Sequence, residues 1–361
     1  MAPLPARLPN LYLGTMTFGW TQASSFVDAK VAAAMLKRFA AWPSPYHRVD
    51  TARIYSAGDT EPIVKDAIEA VGGGISASCL LGTKAHPSQP GGLSTDGIKK
   101  QLEASLTALG VDKLEEFYLH QPDPDADLLE SLRCVDGLVR EGIVNVIGLS
   151  NYHASEVARA FSLCAEHGLT KPTVCQGLYN PLNRLAEDEL IPTLHANGAS
   201  FIAYNPLAAG LLSGRHQAGG EVAAGRFKDN PNYLPRFYTD ANFAALNTIS
   251  AACDAAGISL LEATYRWLLN HSALTPDDGL LLGASSIEQL ESNMAACEAA
   301  RGEQGIRPKP LPESVIEAID GVWDKVPALR DGAFPYWRSY SKDMPNRESL
   351  PPGASYNAAK K

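Results

Sequence analysis

Residues 115–151, EEFYLHQPDPDADLLESLRCVDGLVREGIVNVIGLSN, contain one complete strand–helix–strand unit. An apolar run ends at His120, an amphipathic pattern with helical spacing covers residues 127–140, and a second apolar run ends at Ser150. Two short apolar runs separated by an amphipathic helix are typical of parallel strands, because a parallel connection needs a crossover of about a dozen residues or more. This stretch therefore predicts a parallel α/β fold.

The same alternation extends from this unit in both directions. Six further apolar runs are interpreted as strands, namely the opening segment 11–14 and the runs that end near Asp50, Lys84, Gln176, Tyr204 and Gly283. Helical patterns cover residues 28–42, 94–109, 153–167, 187–196, 240–256, 259–270 and 313–325, and another begins near Ile287. Eight strands with helices between them predict a single (β/α)8 TIM barrel over residues 1–338, with a long loop at 205–232 and a poorly ordered tail at 339–361.

Composition excludes several classes of protein. The 361 residues carry a formal net charge of −9 and no long lysine or arginine run, so nothing favours nucleic-acid binding. Six cysteines have neither CxxC pairs nor histidines at metal-ligand spacing, which predicts reduced thiols and no metal site. The first ten residues lack the basic start and apolar run of a signal peptide, and no segment reaches the roughly 18 apolar residues of a membrane span. We therefore expect a cytoplasmic protein.

Four polar side chains lie where a barrel active site would form. Such a site lies at the carboxyl ends of the strands, which places Asp50, Tyr55, Lys84 and His120 at one mouth. Each alone has an ordinary explanation, because an aspartate often caps a turn and a lone tyrosine or histidine is often a core residue. A lysine that closes an apolar strand needs a carboxylate nearby, and Asp50 ends the neighbouring strand. The set of four predicts a catalytic site.

Seven ordered segments resemble the signature of the aldo-keto reductase superfamily. They are GTMTFG at 14–19, DTA at 50–52 followed by Tyr55, GTK at 82–84, LH at 119–120, GLSN at 148–151, QGLYN at 176–180 and YNPL at 204–207. The resemblance covers about residues 11–338. Three further segments look most like the aflatoxin aldehyde reductase and succinic semialdehyde reductase branch: GLLSGR at 210–215, GRF at 225–227 and FPYWR at 334–338.

The resemblance implies reduction of an aldehyde by hydride transfer from NADPH, with Tyr55 as the proton donor. A phenol has a pKa of about 10, so a nearby cation helps it to donate a proton at neutral pH. Lys84 would supply that charge, Asp50 would keep the ammonium protonated and oriented, and His120 would hydrogen-bond the carbonyl oxygen. The implied substrates are small aldehydes, including dicarbonyls and carboxylated aldehydes such as succinic semialdehyde. The branch is also compatible with a homodimer.

The cofactor prediction rests partly on missing motifs. The chain has no GxGxxG after its first strand and no GxxxxGK[ST], so the sequence predicts neither a Rossmann nor a P-loop nucleotide site. TIM barrels commonly hold phosphates in the loops after strands seven and eight, and here these loops are rich in small hydrogen-bonding residues. With the resemblance, this assigns the cofactor to Asp50, Ser150, Asn151, Gln176, Tyr204, Asn205, Pro206, Leu207, Gly210, Leu212, Gly214, Arg215, Gly283, Ser285, Ser286, Gln289 and Asn293.

The chain departs from the better-known branches of the superfamily at the adenosine 2′-phosphate. A basic residue at the start of the strand-eight loop is replaced by the run GASS at 283–286, and an arginine further on is replaced by Gln289. In the absence of these basic residues, the hydroxyls of Ser285 and Ser286 and a helix N-terminus would bind the 2′-phosphate.

The branch resemblance also implies a substrate wall. Tyr233 and Arg236 of the long loop and the C-terminal Arg338 would border the substrate beside His120, and an arginine can hold a carboxylate through two parallel hydrogen bonds. Two alternatives stay open. One is a nicotinamide-binding regulatory subunit similar to potassium-channel β subunits, and the other is an aldolase that forms a Schiff base on Lys84.

Overall fold

The fold is that of a computed structural model, which describes residues 7–21, 23–216, 227, 233–301 and 309–338. Its strands are β1 Asn10–Gly14, β2 His47–Asp50, β3 Cys79–Ala85, β4 Leu114–Leu119, β5 Val144–Ser150, β6 Val174–Leu178, β7 Ser200–Tyr204 and β8 Gly279–Gly283. Each of them corresponds to one of the eight apolar runs in the sequence. The runs end within two residues of the observed strand ends.

The strands form a closed parallel barrel in chain order from β1 to β8. β1 closes the barrel by pairing with β8, so that Leu13 lies opposite Leu282 and Gly14 lies opposite Gly283. Because all neighbours are parallel, the carboxyl ends of the strands meet at one rim. The predicted (β/α)8 TIM barrel is confirmed.

Helices occupy the connections between the strands. They are α1 Ala29–Phe39, α2 Thr60–Val71, α3 Gly73–Ser78, α4 Thr95–Leu109, α5 Leu128–Arg140, α6 Ala154–His167, α7 Leu190–Ala196, α8 Leu234–Phe237, α9 Asp240–Ala255, α10 Leu260–Asn270, α11 Ile287–Ala300, α12 Glu313–Lys325 and α13 Pro327–Asp331. Several begin at a polar cap whose side chain accepts a hydrogen bond from the first turn, as do Asp28, Ser94, Asp127, Thr239 and Ser259. These caps explain why most helices begin where the sequence pattern predicts.

The structure differs from the sequence prediction at several places. The helices α2, α3, α8 and α13 were not predicted, and α1 ends at Phe39 although its pattern extends to residue 42. The helix expected at 187–196 begins only at Leu190, so that Pro192 lies in its first turn, where a missing N–H is tolerated. In the expected loop after β7, residues Ala208–Ser213 form tight turns that are interrupted by positive φ angles at Ala209 and Gly210. Residues 217–226 and 228–232 of that loop, including Gly225 and Arg226, and the expected tail at 339–361 lie outside the described residues.

A continuous cluster of buried apolar side chains extends from Leu11 to Tyr336, so one core joins the barrel to the C-terminal segment. Among the described residues, no single helix has both the length and the apolar composition to cross a membrane. Only α9 and α10 taken as a pair, bent by 97°, meet that criterion.

A buried polar cluster lies inside the barrel. The Glu116 carboxylate accepts hydrogen bonds from the hydroxyls of Tyr12 at 2.9 Å and Tyr118 at 2.6 Å. The same carboxylate pairs with Arg48 at 2.7 Å. Burial raises the pKa of Glu116, and the Arg48 charge opposes that rise. The Lys84 Nζ lies 5.3 Å from the centroid of the Tyr118 ring, so this cluster supports the site from within the barrel.

Candidate active site

A cavity of about 660 Å³ opens at the rim where the carboxyl ends of the strands meet. Nineteen of the residues predicted for the site line it: Asp50, Tyr55, His120, Ser150, Asn151, Gln176, Tyr204, Asn205, Pro206, Leu207, Gly210, Arg215, Tyr233, Arg236, Gly283, Ser285, Gln289, Asn293 and Arg338. The other four predicted residues, Lys84, Leu212, Gly214 and Ser286, are not part of its lining. The cavity is therefore the candidate active site.

Lys84 and Asp50 form a buried ion pair at the base of the cavity. Lys84 is only 1% exposed, and its Nζ donates to Asp50 Oδ1 at 2.6 Å and to the Thr51 carbonyl oxygen at 2.6 Å. Gln176 Nε2 donates to the same Asp50 oxygen at 2.6 Å. Burial lowers the pKa of Lys84, and the Asp50 carboxylate opposes that fall. The adjacent ends of β2 and β3 thus hold the ammonium group in a position that is shielded from solvent.

Tyr55 lies at the start of a turn, Tyr55–Gly58, that follows β2. Its ring centroid is 5.5 Å from the Lys84 Nζ and 5.8 Å from the centroid of the His120 ring. The next two residues, Ser56 and Ala57, have φ angles of 48° and 56°. Such left-handed backbone at residues other than glycine costs about 1–3 kcal/mol each and persists only where surrounding contacts enforce it. The conformation of this turn is therefore imposed by its neighbours.

Two buried imidazoles stand side by side in the cavity wall. The rings of His86 and His120 are nearly perpendicular, with centroids 5.1 Å apart. Burial lowers the pKa of His86 to about 4 and that of His120 well below its ordinary value, so both are neutral at neutral pH. His86 Nδ1 accepts from the Ser88 backbone N–H at 3.1 Å, which leaves its proton on Nε2. Within the described part of the chain, His120 Nδ1 is buried without a hydrogen-bond partner.

One wall of the cavity has the chemistry that a nicotinamide ring requires. Asn151 adopts φ 62°, its Nδ2 donates to the His120 carbonyl oxygen at 2.8 Å, and its Oδ1 accepts from the Tyr204 hydroxyl at 2.7 Å. Ser150 and Gln176 lie on the same wall. A flat aromatic ring beside amide and hydroxyl groups matches a flat, uncharged ring that carries a carboxamide. The donor set fits a nicotinamide nucleotide.

The opposite end of the cavity is built from the loops after β1 and β8. The Ser285 hydroxyl is 2.5 Å from the Ser24 hydroxyl, and Gln289 Oε1 accepts from the Ser285 N–H at 3.0 Å. Ser286 instead caps α11, because its Oγ accepts from the Gln289 N–H at 3.3 Å. Of the two serines predicted to face a phosphate, only Ser285 therefore faces the cavity.

Residues 334–338, the C-terminal segment, form another wall of the cavity. The Arg338 N–H donates to the Asn151 carbonyl oxygen at 2.8 Å, and Asn183 Nδ2 donates to the Phe334 carbonyl oxygen at 2.7 Å. The Phe334 ring centroid lies 4.3 Å from the Arg236 guanidinium carbon and 5.1 Å from that of Arg338. Arg338 is 6% exposed, and its Nε has no partner among the residues the structure describes. The two predicted arginines thus meet at one aromatic ring.

Several polar residues of the cavity were not predicted from the sequence. Those with side chains in its wall include Ser24, His86, Gln121, Ser213, His216 and Glu288. His86 could have been noticed, because it stands two residues beyond Lys84 on the same strand end. No sequence pattern indicated Ser24, because it lies in a loop without hydrophobic periodicity. No group of three or more His, Cys, Asp or Glu side chains in the described ranges could hold a metal ion.

Comparison with known proteins gives a consistent result. The model of the aldo/keto reductase family matches residues 10–305. Aflatoxin B1 aldehyde reductase member 2 of Rattus norvegicus is 36% identical over 330 residues, covering 88% of this chain and 85% of its own. Aflatoxin B1 aldehyde reductase member 4 of Homo sapiens is 36% identical over 329 residues, covering 87% of this chain and 94% of its own. The family match thus spans all eight strands of the barrel, from β1 to β8.

Proposed function

Because the chain belongs to the aldo/keto reductase family and is an oxidoreductase, we propose that it reduces aldehydes to alcohols with NADPH and that Tyr55 donates the proton. The observation that carries this proposal is the position of the Tyr55 ring between the Lys84 ammonium, 5.5 Å away, and the His120 ring, 5.8 Å away. A cation beside a phenol favours the phenolate, so it lowers the barrier to proton donation. Asp50 keeps that cation charged in a buried site.

The remaining groups would orient the substrate and the cofactor. A neutral imidazole carries one N–H, so His120 can donate a hydrogen bond to the aldehyde oxygen without adding a charge. Ser150, Asn151 and Gln176 would hold the carboxamide of a nicotinamide, and Tyr204 would lie against its ring. When bound, the reduced cofactor supplies a hydride to the carbonyl carbon.

A direct assay tests the proposal. Consumption of NADPH would be followed by its absorbance with a panel of aldehydes, ketones and sugars, and we expect turnover with aldehydes. If the protein binds NADPH but consumes none with any carbonyl compound, the binding-subunit alternative replaces the enzyme. The Schiff-base alternative is disfavoured, because the lysine nucleophile must be neutral and Lys84 Nζ already donates to Asp50 and Thr51. Trapping of a lysine adduct by borohydride would revive it.

Ser285 is expected to select NADPH over NADH. Ser285→Glu places a carboxylate beside the proposed 2′-phosphate, and the like-charge repulsion should weaken NADPH about tenfold more than NADH. The measurement is the Kd of each cofactor by quenching of protein fluorescence. Ser162→Glu, on the exposed face of α6, adds the same charge at a remote site and serves as the control. Equal weakening of both cofactors would mean that Ser285 does not contact the phosphate.

Arg338 is expected to bind the carboxylate of an acidic aldehyde. A buried guanidinium can orient a short aldehyde acid with its carbonyl toward Tyr55, so succinic semialdehyde should have a KM about tenfold lower than butanal. Arg338→Ala should erase that difference. Arg330→Ala, which removes an exposed arginine paired with Asp188, is the control. Identical KM values for the two aldehydes in the unaltered protein would exclude an anion pocket while leaving aldehyde reduction intact.

A further inference from the structure

Glu61 is a fully buried carboxylate that the proposed mechanism does not use. It is 0% exposed, and each of its oxygens has a separate partner. Oε2 pairs with Arg53 Nη1, and Oε1 accepts from the Thr83 hydroxyl at 2.8 Å. Arg53 is two residues before Tyr55, and Thr83 is the residue before Lys84. Glu61 therefore connects the segment that carries the phenol to the strand that carries the ammonium group.

Arg53 extends this connection into the turn that follows Tyr55. Its Nη2 donates to the Gly58 carbonyl oxygen at 2.8 Å. Gly58 has φ 106°, and a Cβ at this position would collide with the Arg53 guanidinium. The turn thus closes directly around the guanidinium, which explains a glycine at its end.

The backbone after Tyr55 requires such a support. Ser56 and Ala57 hold left-handed conformations, which relax when the contacts that impose them are lost. On the outer side, the Ser56 hydroxyl donates to the Phe18 carbonyl oxygen at 2.9 Å. On the inner side, the contacts of Arg53 with Glu61 and Gly58 hold the same turn. Loss of the inner contacts would let the Tyr55 ring move away from Lys84.

We propose that Arg53 and Glu61 form a clamp that fixes the phenol of Tyr55 in reach of Lys84, with Glu61 as a positioning residue. This inference rests on the proposed function of Tyr55. Glu61 is not part of the cavity lining, and it acts through its contacts with Arg53 and Thr83. Its negative charge also favours the protonated state of Lys84, against the effect of burial.

Glu61→Gln tests the clamp because it keeps the size of the side chain and removes its charge. A small displacement of a catalytic group lowers turnover strongly, so we expect kcat for aldehyde reduction to fall about 10- to 100-fold. The KM for the aldehyde and the Kd of NADPH should stay within about threefold of the unaltered protein, because the residues proposed to hold the nicotinamide and the substrate carboxylate are not altered. Arg53→Lys is the second variant, since a lysine keeps the charge but cannot donate to Glu61 and Gly58 in the same forked geometry.

Asp136→Asn is a matched control for the loss of a buried carboxylate. Asp136 also pairs with an arginine, Arg140, and accepts from a threonine hydroxyl, that of Thr170 at 2.8 Å, but it lies on α5. We expect the Asp136→Asn variant to be less stable than the unaltered protein but to keep its kcat. The clamp is overturned if Glu61→Gln and Arg53→Lys are folded and keep the kcat of the unaltered protein, or if Asp136→Asn shows the same fall.

The clamp and the proposed function fail in different ways. If Tyr55→Phe is as active as the unaltered protein, the role of Tyr55 is wrong and the clamp has no function to serve. If Tyr55→Phe is inactive while Glu61→Gln and Arg53→Lys retain full kcat, only the clamp is wrong.

Discussion

Tyr55→Phe is expected to lower kcat for aldehyde reduction by a factor of about 10²–10⁴, the usual contribution of a general acid. Phenylalanine keeps the ring that packs beside Lys84 and His120, so only the hydroxyl group is lost. The Kd of NADPH should change little, because no residue of the nicotinamide wall is altered. The measurements are kcat from NADPH absorbance and Kd from fluorescence quenching.

Tyr179→Phe is the control for loss of a buried phenol. Its hydroxyl donates to Glu187 and accepts from the Ala273 N–H at 3.1 Å, so its removal should affect stability and not turnover. Turnover of Tyr55→Phe at the level of the unaltered protein would contradict the assignment of Tyr55 as the proton donor.

Lys84→Met is expected to have the second-largest effect, because it changes both activity and stability. Removing the ammonium group leaves the Asp50 carboxylate buried with an amide from Gln176 but no cation. Breaking a buried ion pair in this way lowers the free energy of unfolding by about 3–5 kcal/mol. Activity should be lost as well, because no cation remains to favour the Tyr55 phenolate.

The double variant Lys84→Met/Asp50→Asn separates the two effects. Asparagine removes the uncompensated charge and still accepts from Gln176, so urea unfolding should show recovery of much of the lost stability. Turnover should stay low. A single variant as stable as the unaltered protein, or a double variant that regains activity, would show that the pair does not have this role.

The barrel and most of its cavity could be predicted from the sequence because both follow from strand ends. A parallel barrel brings every strand end to one rim, so Asp50, Lys84 and His120 could be placed together without knowing any side-chain conformation. His86, which directly follows the end of β3, obeys the same logic.

Other features depend on backbone angles or on distant segments, which a sequence pattern does not reveal. Either of two adjacent serines could cap α11, and only the extended backbone of Ser286, with φ −153° and ψ 164°, gives it that role and leaves Ser285 to the cavity. The wall at Arg338 requires the chain to return across the barrel after α13. The contacts of Glu61 could not be predicted, because its two partners, Arg53 and Thr83, lie on different elements.

The position of Arg338 has a consequence for the order in which the protein acquires its properties during synthesis. The eight strands and the groups at Asp50, Tyr55, Lys84 and His120 are all present once the chain has reached Gly283. The wall at residues 334–338 emerges from the ribosome only later, after α11, α12 and α13. A nascent chain therefore contains the four proposed catalytic residues before it contains the segment proposed to bind the substrate carboxylate. Exchange of that last segment between relatives would therefore be expected to alter selectivity without replacing any of the four proposed catalytic residues.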